Sequence, residues 1–227
     1  MTLWMSLAMA TEVVTVSWGF TNVHALVDGD HVVLVDAHYP RNTDKLLRRL
    51  GKAGVDVDHI EALVVTHAHA DHAGSAMELA ERLGVPILAG AADVDDLAAG
   101  RFARGRVTGL TGAFIYPVAA RGYPEVAVDV VVDDALDLSS WGIEGEARWV
   151  GGHTAGSLVV TLPDAVLVGD LVRGGMLAPR RPRTHFLHAD ADAVEQALPS
   201  VLDGVSTVYT GHGGPLEAER VRQWLAR

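Results

Sequence analysis

The sequence predicts an α/β (α+β) fold: two facing β-sheets with helices on their outer faces, in a single domain spanning residues 1–227. Three observations carry this. Apolar residues make up 49% of the 227 and aromatics only 6%, so the core is built from small and β-branched side chains, which suit strands buried on both faces. Segments with helical apolar spacing alternate with these strands. The strand-then-helix pattern of the first half recurs in the second, without a sequence repeat or a linker.

Along the chain, residues 11–17, 23–27 and 32–36 read as strands, the last two joined by the Asp28-Gly29-Asp30 turn. Residues 42–50 read as a helix capped by Asn42 or Thr43. An apolar run at 59–66 reads as a buried strand, residues 73–83 as a helix stopped by Gly84, and 85–89 as another strand. Residues 100–125, rich in Gly, Arg and Pro, read as irregular, either a lid or a homodimer contact. Strands follow at 126–132, 147–150, 158–162, 166–168 and 205–209, with helices at 189–198 and 217–226.

The formal charge is −11. Nucleic-acid binding needs a basic face, so a small-molecule substrate is expected and nucleic acid is not. Arg180, Arg181 and Arg183 form one short basic cluster, read as a solvated loop. The chain has no cysteine, which excludes disulfides and thiolate metal sites. The first ten residues are apolar but carry no Lys or Arg, so they read as a leader into the first strand rather than a secretory signal. No run approaches the roughly 18 apolar residues of a membrane span. No membrane partner is expected, and the cytoplasm is the expected location.

The chemistry concentrates in Thr66-His67-Ala68-His69-Ala70-Asp71-His72. This stretch follows a predicted strand and precedes a predicted helix. His67 and His69, two apart in an extended segment, point to one side. Asp71 and His72 turn the other way as the helix begins and can serve a second metal. His153 in Gly-Gly-His-Thr-Ala-Gly-Ser, Asp170 in Val-Gly-Asp and His212 in Gly-His-Gly each follow a strand and are flanked by glycine, which lets backbone approach closely.

The ordered set His-Ala-His-Ala-Asp-His, Gly-Gly-His-Thr-Ala-Gly-Ser, Val-Gly-Asp and Gly-His-Gly resembles the motif set of the metallo-β-lactamase superfamily from about residue 11 to 212. The resemblance implies a four-layer αβ/βα sandwich with the site along one edge. It implies that His67, His69 and His153 hold a first metal, that Asp71, His72 and His212 hold a second, and that Asp170 bridges both. Asp36 would support the site from behind, with the Thr66 and Thr154 hydroxyls as further partners for the ligand rings. Two zinc ions are expected, and iron or manganese suit the same ligands. Asp71 and Asp170 are the expected catalytic carboxylates.

In true β-lactamases of the superfamily the bridging position is usually Cys or Ser, so Asp170 resembles instead the glyoxalase II, lactonase and phosphodiesterase branches. Glyoxalase II carries a further helical region, whereas this chain ends fifteen residues after His212. The expectation is therefore a compact, glyoxalase-II-like hydrolase of a small ester, thioester or lactone. The alternatives are a mononuclear iron enzyme resembling the persulfide dioxygenases, a β-lactamase, and a metal-binding protein without catalysis. Substrate-facing candidates are His24, His38, Tyr116, Tyr123, His185 and His188, with the His185-Phe186-Leu187-His188 segment the strongest. Trp18 and Phe20 could form an apolar wall. Each of these could equally be an ordinary loop or packing residue.

Overall fold

The structure is a computed structural model and describes residues 11–103, 105–108 and 122–227. Strands β1 (Glu12–Trp18), β2 (Thr21–Asp28) and β3 (His31–Val35) form an antiparallel meander. Gly29, at φ +58°, makes the two-residue turn between β2 and β3. Helix α1 (Thr43–Lys52) leads to β4 (Ile60–Val65), which lies parallel to β3. Helices α2 (Ala70–Ala73) and α3 (Ala76–Leu83) lead to β5 (Ile87–Gly90), and α4 (Val94–Ala98) follows. After the short β6 (Arg106–Val107), β7 (Val130–Val132) joins β5 in parallel, giving the sheet order β1-β2-β3-β4-β5-β7.

The second sheet comprises β8 (Ala135–Asp137), β9 (Glu146–Trp149), β10 (Leu158–Thr161) and β11 (Ala165–Leu167). Two short pieces, β12 (Arg173–Gly174) and β13 (Pro182–Arg183), pair as a ribbon, and β14 (Leu187–His188) pairs with β6. Helix α5 (Ala191–Val201) precedes β15 (Thr207–Tyr209) and β16 (Leu216–Glu217), and α6 (Ala218–Leu225) follows. The sheet order is β16-β15-β11-β10-β9-β8, with β11 and β15 parallel.

Strand alternation builds the layers. In β3 and β4, Val33, Val35, Ala62 and Val64 enter a core shared with Leu158, Val160 and Leu167 of the second sheet. Their neighbours Val32, Leu34, Leu63 and Val65 point the other way, onto Leu46 and Leu50 of α1 and Leu79 of α3. In the second sheet Val159 and Val166 face outward onto Val194, Leu198 and Val201 of α5 and Val221 of α6. Helix, sheet, sheet and helix thus stack in four layers, as the resemblance implied. Among the described residues no helix is long and apolar enough to cross a membrane.

Several element boundaries differ from expectation. The helix expected over 73–83 is broken after Ala73, because Gly74 packs on Pro40: a Cβ there would lie 2.4 Å from Pro40 Cδ. The strand expected over 126–132 is paired only at Val130–Val132, and Val126 N instead donates to Leu97 O (2.9 Å). Helix α5 runs on through Pro199 to Val201, held by the burial of Leu198 and Val201. Helix α4 and strand β8 had no expectation.

Candidate metal centre

The site lies where strand ends of both sheets meet along one edge. Strand β4 ends at Val65 and delivers Thr66 to His72, while the turn after β11 delivers Asp170 and the turn after β15 delivers His212. Gly169 adopts φ +50°, and a Cβ on it would come within 3.0 Å of Thr66 Oγ1. A Cβ on Gly211 would sit 2.3 Å from Asp170 Oδ1 and 2.5 Å from His72 Cε1. At this position only glycine leaves room for the site.

The seven residues expected as ligands come together. His67, His69, His153 and Asp170 offer one set of donor atoms within 4.8 Å of one another, and Asp71, His72 and His212 offer a second. Asp170 Oδ2 stands between them. It is 3.7 Å from His67 Nε2 and from His153 Nε2, 3.4 Å from His72 Nε2 and 3.2 Å from His212 Nε2. Asp71 Oδ2 lies 3.3 Å from His212 Nε2, and His69 Nδ1 lies 3.1 Å from His153 Nε2.

Each ring turns one nitrogen inward and ties the other to an acceptor behind it. His67 Nδ1 donates to Thr66 Oγ1 (2.9 Å), His69 Nε2 to Ala103 O (2.9 Å), His72 Nδ1 to Asp36 Oδ2 (2.7 Å), His153 Nδ1 to Leu187 O (2.9 Å) and His212 Nδ1 to Phe20 O (2.7 Å). Such outer bonds fix the tautomer and leave the inward nitrogen a lone pair. His67 Nε2, His72 Nε2 and Asp170 Oδ1 are buried without a hydrogen-bond partner. Unpaired buried polar atoms cost roughly 1–3 kcal/mol each. Three of them around imidazole and carboxylate donors fit a cation of the zinc, iron or manganese type.

Electrostatics divide the rings. Burial holds His67 and His153 well below the ordinary imidazole range, with neighbouring imidazoles acting in the same direction. Burial also opposes charge on His72 and His212, but the carboxylates outweigh it. Asp170, Asp36 and Asp71 hold His72 well above the usual value, and Asp170 with Asp71 raises His212 to about 10. Asp170 and Asp71 are correspondingly lowered by the adjacent imidazoles against the effect of their own burial.

Of the supporting residues, Asp36 and Thr66 stand where expected. Thr66 N and Oγ1 both donate to Asp36 Oδ1, at 2.8 and 2.9 Å. The Thr154 hydroxyl does not reach a ligand ring; it donates to Asp93 Oδ2 (2.6 Å). Asp93, which carried no signal in the sequence, also accepts from Ala68 N (2.8 Å) and Gly156 N (2.7 Å). It ties the first ligand loop to the loop of His153.

A cleft of about 110 Å³ opens over His69, Asp71, Asp170, His185 and His212, walled by Phe20, Tyr39, Phe102, Met176, Phe186 and Leu187. Phe102 stacks on His69, with ring centroids 4.3 Å apart. Of the substrate-facing candidates, His185 and Phe20 line this cleft. His24 is buried below it, bonded to Thr15 Oγ1 (2.9 Å) and Thr210 O (3.3 Å). His38 and Trp18 stack on each other at 3.7 Å instead of facing it. Tyr123 packs into the core of the first half. His188 lines a separate cavity with Arg106 and Asp190. Tyr116 lies outside the described residues. Tyr39, Phe102 and Met176 were not singled out in the sequence, since isolated aromatic and methionine residues in irregular stretches carry no pattern.

Known proteins are similar to this chain in sequence or fold. Over 62 residues the chain is 37% identical to YybB, a probable metallo-hydrolase of Bacillus subtilis (strain 168), and that stretch is 27% of this chain and 26% of that protein. The chain thus matches about a quarter of that relative's length. Its fold is similar to MIM-1, a metallo-beta-lactamase from Novosphingobium pentaromativorans (TM-score 0.66, 20% identity, 90% of this chain and 74% of that one). It is also similar to BJP-1, a subclass B3 metallo-beta-lactamase of Bradyrhizobium japonicum (TM-score 0.63, 17% identity, 89% and 75%). A sequence profile described as the metallo-beta-lactamase superfamily matches residues 16–212. With four layers, His and Asp residues gathered at strand ends and a profile match over most of its length, the chain belongs to the metallo-beta-lactamase superfamily.

Proposed function

We propose that the chain is a two-metal hydrolase of a small ester, thioester or lactone, with zinc as the metal. His67, His69 and His153 hold one ion, Asp71, His72 and His212 the other, and Asp170 is shared. The observation that supports this best is the single oxygen Asp170 Oδ2 standing within 3.7 Å of nitrogens from both sets. When bound, such ions supply Lewis acidity toward a carbonyl and lower the pKa of water.

The chain's own residues do the rest. Asp170 fixes the separation of the two sets. Asp71 lines the cleft beside Asp170, where its carboxylate can orient an attacking water. Phe20, Tyr39, Phe102 and Phe186 exclude bulk water and present an apolar wall to the acyl group. No Lys or Arg is among the described residues lining the cleft. That favours a neutral acyl substrate over a phosphodiester, whose charge calls for cationic partners. A small-molecule substrate, rather than nucleic acid or a membrane, also fits the net charge of −11.

The test combines metal analysis with a substrate panel of thioesters, lactones, simple esters, phosphodiesters and β-lactams. About two zinc ions per chain are expected. Asp170→Ala and His69→Ala are expected to lose metal and acyl hydrolysis together. One iron per chain with oxygen uptake on a persulfide would replace this reading, and full metal content in both variants would show the ligand set to be wrong.

A further inference from the structure

The seven-residue ligand set leaves one buried imidazole of the site without a role. His185 lies fifteen positions beyond Asp170 and is buried. Its Nε2 is 3.1 Å from Asp170 Oδ2 and has no hydrogen-bond partner of acceptable geometry. Its ring stacks parallel to that of His212 at 5.4 Å and stands edge-on to His153 at 4.7 Å. With Asp170 and His212 it forms a third group of donor atoms lying within 4.8 Å of one another.

The segment that carries His185 is held rigidly. Thr108 N donates to Phe186 O (2.8 Å), the Thr108 hydroxyl donates to His185 O, and β14 pairs with β6 immediately after it. The adjoining Leu187 O accepts from His153 Nδ1. One short stretch therefore supports a ligand ring from behind and places a second ring in front of the shared carboxylate.

His185 also follows the pattern of the five ligand rings. Its outer nitrogen, Nδ1, meets the Leu187 backbone, 3.3 Å from Leu187 O and 3.4 Å from Leu187 N, so that backbone can serve either tautomer. In the tautomer that donates to the carbonyl, the one a cation would select, Nε2 keeps a lone pair facing the centre. Two lone-pair atoms 3.1 Å apart, Nε2 and Asp170 Oδ2, repel unless a cation or a proton lies between them.

Building on the two-metal reading, we propose that His185 is a further metal ligand, its Nε2 joining Asp170 and His212 at the second metal position. It closes that position from the cleft side, so the second ion is held by a protein ligand where the other ligands leave an opening toward substrate.

The test uses cobalt(II) as the probe on the full chain. Wild type, His185→Ala and His185→Gln are titrated in competition with a chromophoric chelator, and the visible cobalt bands are recorded at each equivalent. In both variants the second equivalent is expected to weaken by about 10–100-fold, the loss seen when a metal-site partner is removed. The first equivalent is expected to stay at wild-type affinity, and the bands of the second to shift as a nitrogen donor is lost. Wild-type affinity with unchanged bands in both variants would overturn the proposal and make His185 a wall of the cleft. Equal weakening of both equivalents would overturn it too, showing general loosening of the site. A wild-type chain that binds no cobalt would remove the two-metal reading itself, a failure distinct from the other two.

Discussion

Two buried aspartates show how single residues hold the centre without joining it. Asp36 adopts φ +70°, a left-handed conformation that costs a non-glycine residue about 1–3 kcal/mol. It keeps its carboxylate against Thr66 and His72 in return, with Oδ2 2.7 Å from His72 Nδ1. Asp36→Ala removes the acceptor that sets the His72 tautomer, and metal affinity is expected to fall about 10–100-fold. Chelator competition measures this, and an unchanged affinity would show that His72 is oriented by packing alone. Asp93 works on the backbone instead. Asp93→Ala strands the donors Ala68 N and Gly156 N in a buried setting and removes the acceptor of the Thr154 hydroxyl. A loss of roughly 3–5 kcal/mol is expected in urea unfolding; a loss below about 1 kcal/mol would mean that water replaces the carboxylate.

At the scale of elements, strands were easier to read than breaks. The runs that became β3, β4, β10 and β11 are continuous apolar stretches whose burial on both faces is written in composition. The clustering of the candidate ligands was legible for a related reason: His and Asp crowded at strand ends, between glycines, have few other uses. Asp93 was not legible, because its three partners lie 25 to 63 positions away and nothing in Ala-Ala-Asp-Val marks them. The break between α2 and α3 was missed because it depends on Pro40, which is distant in sequence from Gly74. The basic cluster at Arg180, Arg181 and Arg183 looked isolated in sequence, yet α6 brings Arg220 to the same concavity. Strand β2 carries a further consequence in His24. Burial lowers this imidazole to about 4, against the raising effects of Asp36 and of the Thr210 carbonyl. The unfolded chain takes up a proton near pH 6.5, whereas the folded one does not until about pH 4. Folding stability is therefore lost as pH falls through that window, by about 3 kcal/mol from this residue. His24→Gln retains a donor for Thr210 O and is expected to flatten the dependence of the urea midpoint on pH between 6.5 and 4. An identical slope in variant and wild type would assign the acid sensitivity to other groups.

For the whole molecule, the centre is where the two halves are joined. His67, His69, Asp71 and His72 come from the first sheet and its loops, and His153, Asp170 and His212 from the second. The apolar core between the sheets holds the halves face to face, but it does not fix the edge where polar groups gather. There, without a cation, imidazoles and carboxylates crowd together in a buried space. A metal that binds only the folded chain adds stability in proportion to the logarithm of its excess over the dissociation constant. At a thousandfold excess that is about 4 kcal/mol. For a chain of this size each kcal/mol moves the melting temperature by about 2–4 °C, so stripping the metal is expected to lower Tm by about 10 °C. Asp170→Ala, which removes the shared carboxylate, is expected to melt at the same temperature with and without chelator. A wild-type Tm that chelator leaves unchanged would mean that the inter-sheet core alone sets the stability of this edge. The ligands of the two halves would then be brought together by the fold before any metal arrives, and the ion would be a passenger in the architecture instead of a clasp across it.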